Sequence, residues 1–373
     1  MSKGCVWFSF GSDKTGPILA KALDFQAIKK TPKFEGFDVV VGWGCKPGTA
    51  YSNAALNKLI TEGQIRIINH PDAVVANRDK LATLAKLRDA GVAVPGFLKF
   101  DPSESKVTRA LVAAALDEGL LVYPLIALNE HHKGEPYFCF TKEDVEAVIR
   151  GNGGLAPGER RRYFRSYDYG TEWRIHVFRD AALYAQAKVP GDSPLEATTQ
   201  HLMKQLDRKI ARAKESGAKI PKLPSPGVVK FIIDAVARET LRSSSQLKKS
   251  VAMGWEYHDV PLEGVPAQVT SLAVDAVEAA ELDMGGVSIS LDEDGGARVL
   301  SITTAPGLSE EQVQRYAEEI KTFASSQAPE KKGKKEGKVE GKTAPPELRA
   351  RLYQKMKNAT AQGAKKALKS LEE

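Results

Sequence analysis

Three ionisable residues alternate along one short segment, Gly170-Thr171-Glu172-Trp173-Arg174-Ile175-His176-Val177-Phe178. Successive side chains of an extended strand point to opposite faces. Glu172, Arg174 and His176 therefore share one face, and Trp173, Ile175 and Val177 the other. After a turn at Arg179-Asp180, Leu183 to Val189 reads as the returning strand and carries Lys188 near its end. Three polar residues on one strand face are costly to bury alone. Two arrangements relieve that cost. Either the face lines a charged cleft that binds and orients a ligand, or it forms an exposed ladder of cross-strand ion pairs.

A second hairpin lies near the end of the body. The β-branched runs Val287 to Ser290 and Val299 to Thr303 flank the acidic turn Asp292-Glu293-Asp294-Gly295-Gly296. Thr304-Ala305-Pro306-Gly307-Leu308 ends the second strand, and a helix is expected from about Ser309. Other reactive residue types give weaker signals. His131 and His132 are adjacent in a polar turn and lack the i,i+4 spacing of a helical metal pair, so they read as exposed loop residues. Cys5, Cys45 and Cys139 are an odd number and far apart. They suit buried thiols in a reducing compartment, not a disulfide scaffold or a zinc site. Glu159-Arg160-Arg161-Arg162 reads as a solvated charge run or as phosphate contacts.

The elements that must position these residues alternate in type. Over residues 1–75, strands at 6–10, 37–44 and 65–69 alternate with helices at 16–25 and 53–62, which argues for a small parallel α/β domain. Residues 76–165 read as a central lobe with a helix opening at Asn77-Arg78-Asp79-Lys80, a helix over 101–119 and a strand over 120–125. Residues 166–325 form a further lobe with both hairpins and a helical insertion at about 190–227. There, Gly254 to His258 is expected to break the pattern. Residues 326–346 read as a disordered basic linker, and 347–373 as a basic amphipathic helix suited to docking on a protein partner. The fold class is α/β, with α+β lobes.

Charge is unevenly divided. The chain has 373 residues and a net charge of +7, but thirteen basic and six acidic residues after 325 account for all of it. The body is balanced, which gives no electrostatic support to nucleic-acid binding there. No stretch reaches the ~18 apolar residues of a transmembrane helix, and no secretory leader is expected at Met1 to Phe8.

Several of these strings resemble the ATP-grasp superfamily, in particular its ATP-dependent carboxylate–amine ligases of the phage and peptide-ligase type. The carriers are Asn77-x-x-Lys80 with Ala90-Gly91-Val92-Ala93-Val94-Pro95, Glu172-Trp173-Arg174-Ile175-His176-Val177, and Gly285-Gly286-Val287-Ser288 with Ser301-Ile302-Thr303-Thr304-Ala305-Pro306-Gly307. The resemblance implies an ATP-grasp fold, with ATP and magnesium as cofactors. It implies Arg174 as the catalytic arginine, with Lys80, Glu172, His176 and Lys188 near the nucleotide. The implied chemistry joins a carboxylate to an amine through an acyl-phosphate, in the cytoplasm of a cell or phage host, or in a virion.

Family members usually read GAVD and EVNTAPG where this chain places Ser288, Ser301 and Thr303. Neutral hydroxyls thus occupy the metal-ligand positions, and Asp292 lies about 13 Å further along the strand. Pro124 and Leu125 replace a usual basic pair, and Asn129 to Glu135 holds one glycine where a glycine-rich phosphate loop is usual. Two functions follow. One is a ligase with an altered metal site; the other is a catalytically silent binding or structural component, such as part of a phage particle. Both place the two hairpins on facing sides of a nucleotide-sized groove.

Overall fold

A computed structural model describes residues 3–326 except 10–13, 49–50, 102–103, 130–136, 151–161, 169, 192–193, 216–228, 231 and 234–253. His131, His132, Glu159 to Arg161, the end of the expected insertion from 216, and the tail beyond Ser326 lie outside the described residues.

The chain opens with β1 (Gly4–Trp7), α1 (Thr15–Leu23), β2 (Gln26–Ile28), β3 (Val39–Gly42), α2 (Asn53–Thr61) and β4 (Arg66–Ile68). Its sheet has the order β2-β1-β3-β4 and is parallel throughout. Every residue of β1 and β3 is buried, as expected for a parallel sheet covered on both faces. α3 (Pro71–Ala76) and α4 (Lys80–Asp89) then lead to a second, antiparallel sheet. It comprises β5 (Phe97–Lys99), β6 (Leu125–Leu128), β7 (Tyr137–Cys139) and β8 (Tyr163–Ser166), in the order β5-β8-β6-β7. α5 (Ser105–Asp117) and α6 (Lys142–Ile149) supply its core with Val112, Val145 and Val148 around Phe164. The strand expected at 120–125 is displaced: Leu120 and Val122 are exposed and the ladder begins at Leu125. Pro124 has no N–H to give a ladder, so pairing starts only after it.

The third sheet holds both hairpins. β9 (Thr171–Phe178), β10 (Ala181–Pro190), β11 (Trp255–Val260), β12 (Met284–Leu291) and β13 (Ala297–Thr303) form the antiparallel order β11-β10-β9-β12-β13. α7 (Pro194–Glu215) follows β10, α8 (Ala267–Ala279) packs on the sheet's apolar face, and α9 (Glu310–Ser325) follows β13. Gly254 to His258, expected to break the pattern, instead leads into and forms most of the edge strand β11. Ser309 caps α9 in a reciprocal box with Gln312. Arg66 on β4 closes the other end, donating to the carbonyls of Phe323, Ala324 and Ser326, where a cation complements the helix dipole.

The first and third sheets are joined firmly. Trp7 and Val40 of the first, with Leu56 of α2, share one core with Ile175, Val287, Ile302 and the α8 residues Val269 and Ala273. Fully buried Asn69 adds a polar joint. Its side-chain oxygen accepts from the Asp283 and Met284 N–H groups at 2.8 and 3.0 Å, and its amide donates to the Met284 carbonyl at 3.0 Å. Asn69 has φ 58°, which asparagine tolerates better than most residues. A Cβ on Gly42 would stand 2.3 Å from the Asn69 carbonyl oxygen, so glycine at the end of β3 admits this turn. Among the described residues no helix is long and apolar enough to cross a membrane.

Candidate functional site

The two hairpins do not face each other. They lie side by side in one sheet, because β9 pairs directly with β12. The register places Gln186, Arg174, Ser288 and Ser301 in one cross-strand row. A neighbouring row runs from Glu172 to Ser290 and Arg298. Since β-neighbours in register share a face, Glu172, Arg174, Lys188, Ser288 and Ser301 belong to one polar surface. Ile175, Val287, Ile289 and Ile302 belong to the opposite, apolar surface under α8. The alternation expected for Glu172, Arg174 and His176 is thus present, and side-by-side packing sets Arg174, Ser288 and Ser301 in one row.

The members of that surface meet different fates. Lys188 Nζ lies 2.9 Å from Glu172 Oε1, with side-chain exposures of 9% and 13%. The pair is a cross-strand ion pair, but a largely covered one and not the exposed ladder. Tyr257 of β11 covers it. The Tyr257 hydroxyl lies 3.5 Å from the same carboxylate oxygen, Lys188 Nζ is 5.2 Å from the ring centroid, and the Arg174 guanidinium is 4.1 Å from it. One carboxylate and two cations therefore converge on one aromatic ring, leaving a net positive patch.

His176 is a correction. It is fully buried, stacked on Tyr184 at 4.1 Å, and its Nδ1 is 3.1 Å from the Tyr316 hydroxyl. Burial, reinforced by the Arg174 charge, holds its pKa down at about 3, so it is neutral in the core under α9. It has no route to a ligand on the open face.

Lys80 is neither a solvated helix residue nor a projecting one. Its Nζ donates to the carbonyl of Asn77 at 2.9 Å and to that of Ile302 on β13. Burial, aided by the Arg78 charge, lowers its pKa to about 8. Asn77 donates to the same Ile302 oxygen at 3.0 Å. A bulge between Ser288 and Ile289 leaves Leu300 without a partner residue on β12, and Arg165 of β8 donates to the Leu300 carbonyl at 3.2 Å. Ser301 is thus bracketed along the chain by basic side chains on the carbonyls before and after it.

The acid positions near the hairpin tip are engaged elsewhere. Asp168 accepts from Ser290 Oγ at 2.7 Å and pairs with Arg298 at 3.1 Å. Asp292 pairs with Arg298 at 2.9 Å, and the Gly296 N–H together with Arg298 holds its carboxyl below the usual range. Magnesium prefers carboxylate and amide oxygens. Ser288, Ser301 and Thr303 offer hydroxyls beside an arginine, and among the described residues no group of three His, Cys, Asp or Glu could hold a metal. The residues present do not fit the family's metal. The three cysteines are all buried and form no disulfide. Burial pushes the Cys5 and Cys45 thiols up to about 12, so both are inert at neutral pH.

Tyr257 and Arg165 are the site residues that the sequence reading passed over. Tyr257 had a signal in the alternation Trp255-Glu256-Tyr257-His258, read there as an interruption. Arg165 had none, because its importance depends on a contact with a residue 135 positions away.

Comparison by sequence gives no matching family model and no matching curated protein. Solved structures do match. One is the ATP-grasp ligase PsnB complexed with minimal precursor, Mg and ADP, at 14% identity and TM-score 0.52, covering 87% of this chain and 98% of that one. Another is D-alanine–D-alanine ligase from Bacillus anthracis complexed with ATP, at 13% identity and TM-score 0.50, covering 86% and 91%. At such identity the likeness is one of fold. The chain has the α/β architecture of ATP-grasp proteins and resembles their carboxylate–amine ligases.

Proposed function

We propose that this chain is a binding protein built on the fold of ATP-dependent carboxylate–amine ligases, one that takes a nucleoside phosphate such as ATP on the polar face of β9, β10, β12 and β13 without turning it over. Arg174 is its principal phosphate contact. Glu172 and Lys188 fix the patch around it, and Lys80 holds the β13 edge. The observation that carries the reading is the row Gln186–Arg174–Ser288–Ser301. It presents a cation and hydroxyls and no carboxylate, so it favours a phosphate group and lacks the ligands that would fix a divalent ion for phosphoryl transfer.

Calorimetry with ATP tests the binding, and ADP release in the presence of magnesium, carboxylates and amines tests the silence. Binding by the wild type is expected to weaken roughly tenfold or more in Arg174→Ala, the scale of a lost charge-assisted hydrogen bond. ADP formation is expected to stay at background. Magnesium-stimulated ADP and phosphate release, with an amide as product, would show an active ligase instead.

A further inference from the structure

Among the described residues, two buried guanidinium donors beside the Ser288–Ser301 pair have no hydrogen-bond partner. They are the Nε atoms of Arg174 and Arg165. Buried polar atoms of native proteins are almost always paired, and an unpaired guanidinium donor calls for an acceptor. The two arginines flank the Ser288–Ser301 pair. Arg174 is in register with Ser288 on β12, and Ser288 with Ser301 on β13. Arg165 reaches β13 from the second sheet and is anchored on Leu300, beside Ser301. Lys80 is anchored on Ile302, on the other side of Ser301 along the chain.

Among the described residues no acid pairs with Arg174 or Arg165. Glu172 is committed to Lys188, and Asp168 to Ser290 and Arg298. Directly opposed residues of an antiparallel pair have Cβ atoms about 4.5–5.5 Å apart, close enough for two hydroxyls to grip one small anion. The misfit to magnesium therefore has a definite sign: where a divalent cation would need carboxylates, this chain has assembled donors.

We infer that the Ser288–Ser301 pair, between Arg174 and Arg165, is a receptor for a tetrahedral oxyanion held directly by guanidinium and hydroxyl groups. The oxyanion is inorganic phosphate or the phosphoryl group of a phosphate ester. The inference rests on reading this face as phosphate-binding, and adds that no metal mediates the contact. Arg165 brings the second sheet into the site, so occupation draws the β5-β8-β6-β7 sheet and the β9–β13 sheet onto one ligand.

The test titrates the full chain with inorganic phosphate, tripolyphosphate and ATP, each in EDTA and in magnesium. The wild type is expected to bind phosphate and ATP with affinities that differ less than about threefold between the two buffers, under the tenfold per 1.4 kcal/mol that a lost strong contact gives. Arg165→Gln is expected to weaken phosphate roughly tenfold or more. Ser288→Asp with Ser301→Glu is expected to abolish phosphate binding in EDTA and to make ATP binding depend on magnesium. Should that pair fail to fold, Ser301→Ala, which removes one hydroxyl, is expected to weaken phosphate severalfold. Wild-type binding seen only with magnesium overturns the receptor and leaves the nucleotide reading standing. Arg165→Gln and Ser301→Ala both binding phosphate like the wild type also overturns it. Phosphate and tripolyphosphate binding without ATP binding upholds the receptor and ends the nucleotide reading. No binding of any ligand in either buffer ends both.

Discussion

Asn69→Ala is expected to lower stability by about 4 kcal/mol, through the loss of three side-chain hydrogen bonds and the cost of a left-handed backbone. The bonds lost are those to the Asp283 and Met284 N–H groups and to the Met284 carbonyl. These backbone groups begin β12, the interior strand on which Ser288 and Ser290 are carried. Burial raises the Asp283 carboxyl above its usual range, so this end of the strand is already poor in water to replace the lost partners. Asn69→Gly separates the two contributions, since glycine accepts φ 58° freely and should recover about 1 kcal/mol of the loss while the hydrogen-bond part remains. Denaturant unfolding followed by tryptophan fluorescence is a suitable measure, because Trp7 and Trp43 lie in the first sheet's cores and Trp173 against the third. A loss under 1 kcal/mol in Asn69→Ala would mean that Asn69 does not join the sheets.

The second large effect is on pH dependence. His176 has its folded pKa at about 3, below its ordinary value near 6.5. A depressed histidine pKa means that the unfolded chain takes up a proton that the folded one refuses. Stability from this residue is constant above pH 6.5 and falls as pH drops toward 3, by about 1.4 kcal/mol per unit. Over pH 6.5 to 4.5 that is roughly 3 kcal/mol. His176→Phe keeps the ring stack on Tyr184 and removes the titration, while leaving the Tyr316 hydroxyl without its ring-nitrogen partner. The variant should therefore be less stable than wild type by about 1 kcal/mol at pH 7 and more stable at pH 4.5. Parallel stability curves for the two proteins across this range would show that His176 is not held neutral by the core.

Local sequence carried much of this architecture, and its reach ends at identifiable residues. The parallel sheet could be read because β1 and β3 are continuous apolar runs between helices. The hairpin at 171–190 could be read because Glu172, Arg174 and His176 keep strict alternation. Position along the strand then divided those three. Arg174 meets the edge strand β11, whereas His176, two residues on, is roofed by Tyr316 of α9. Nothing near residue 176 announces a helix packed over it 140 residues later. β11 itself was passed over because its rhythm is short: only Trp255, Tyr257 and Val260 are half-buried, between exposed Glu256, His258 and Asp259. That hydroxyls stand at Ser288, Ser301 and Thr303, where the resemblance expects metal ligands, could be read from the sequence. The donors around them could not, since Arg165 and Lys80 arrive from separate elements and reach β13 through its backbone carbonyls.

That backbone contact also settles how the large sheet ends. Along the outer side of β13, Val299 donates to the Ala93 carbonyl, Arg165 occupies the Leu300 oxygen, and Asn77 and Lys80 share the Ile302 oxygen. An unclaimed strand margin is a template for foreign chains. Here those ladder groups are spoken for by the protein's own backbone and side chains, so an extended peptide cannot lengthen the sheet on that flank without displacing two cations. Growth by strand addition is left to the opposite border at β11, where Glu256, His258 and Asp259 face water.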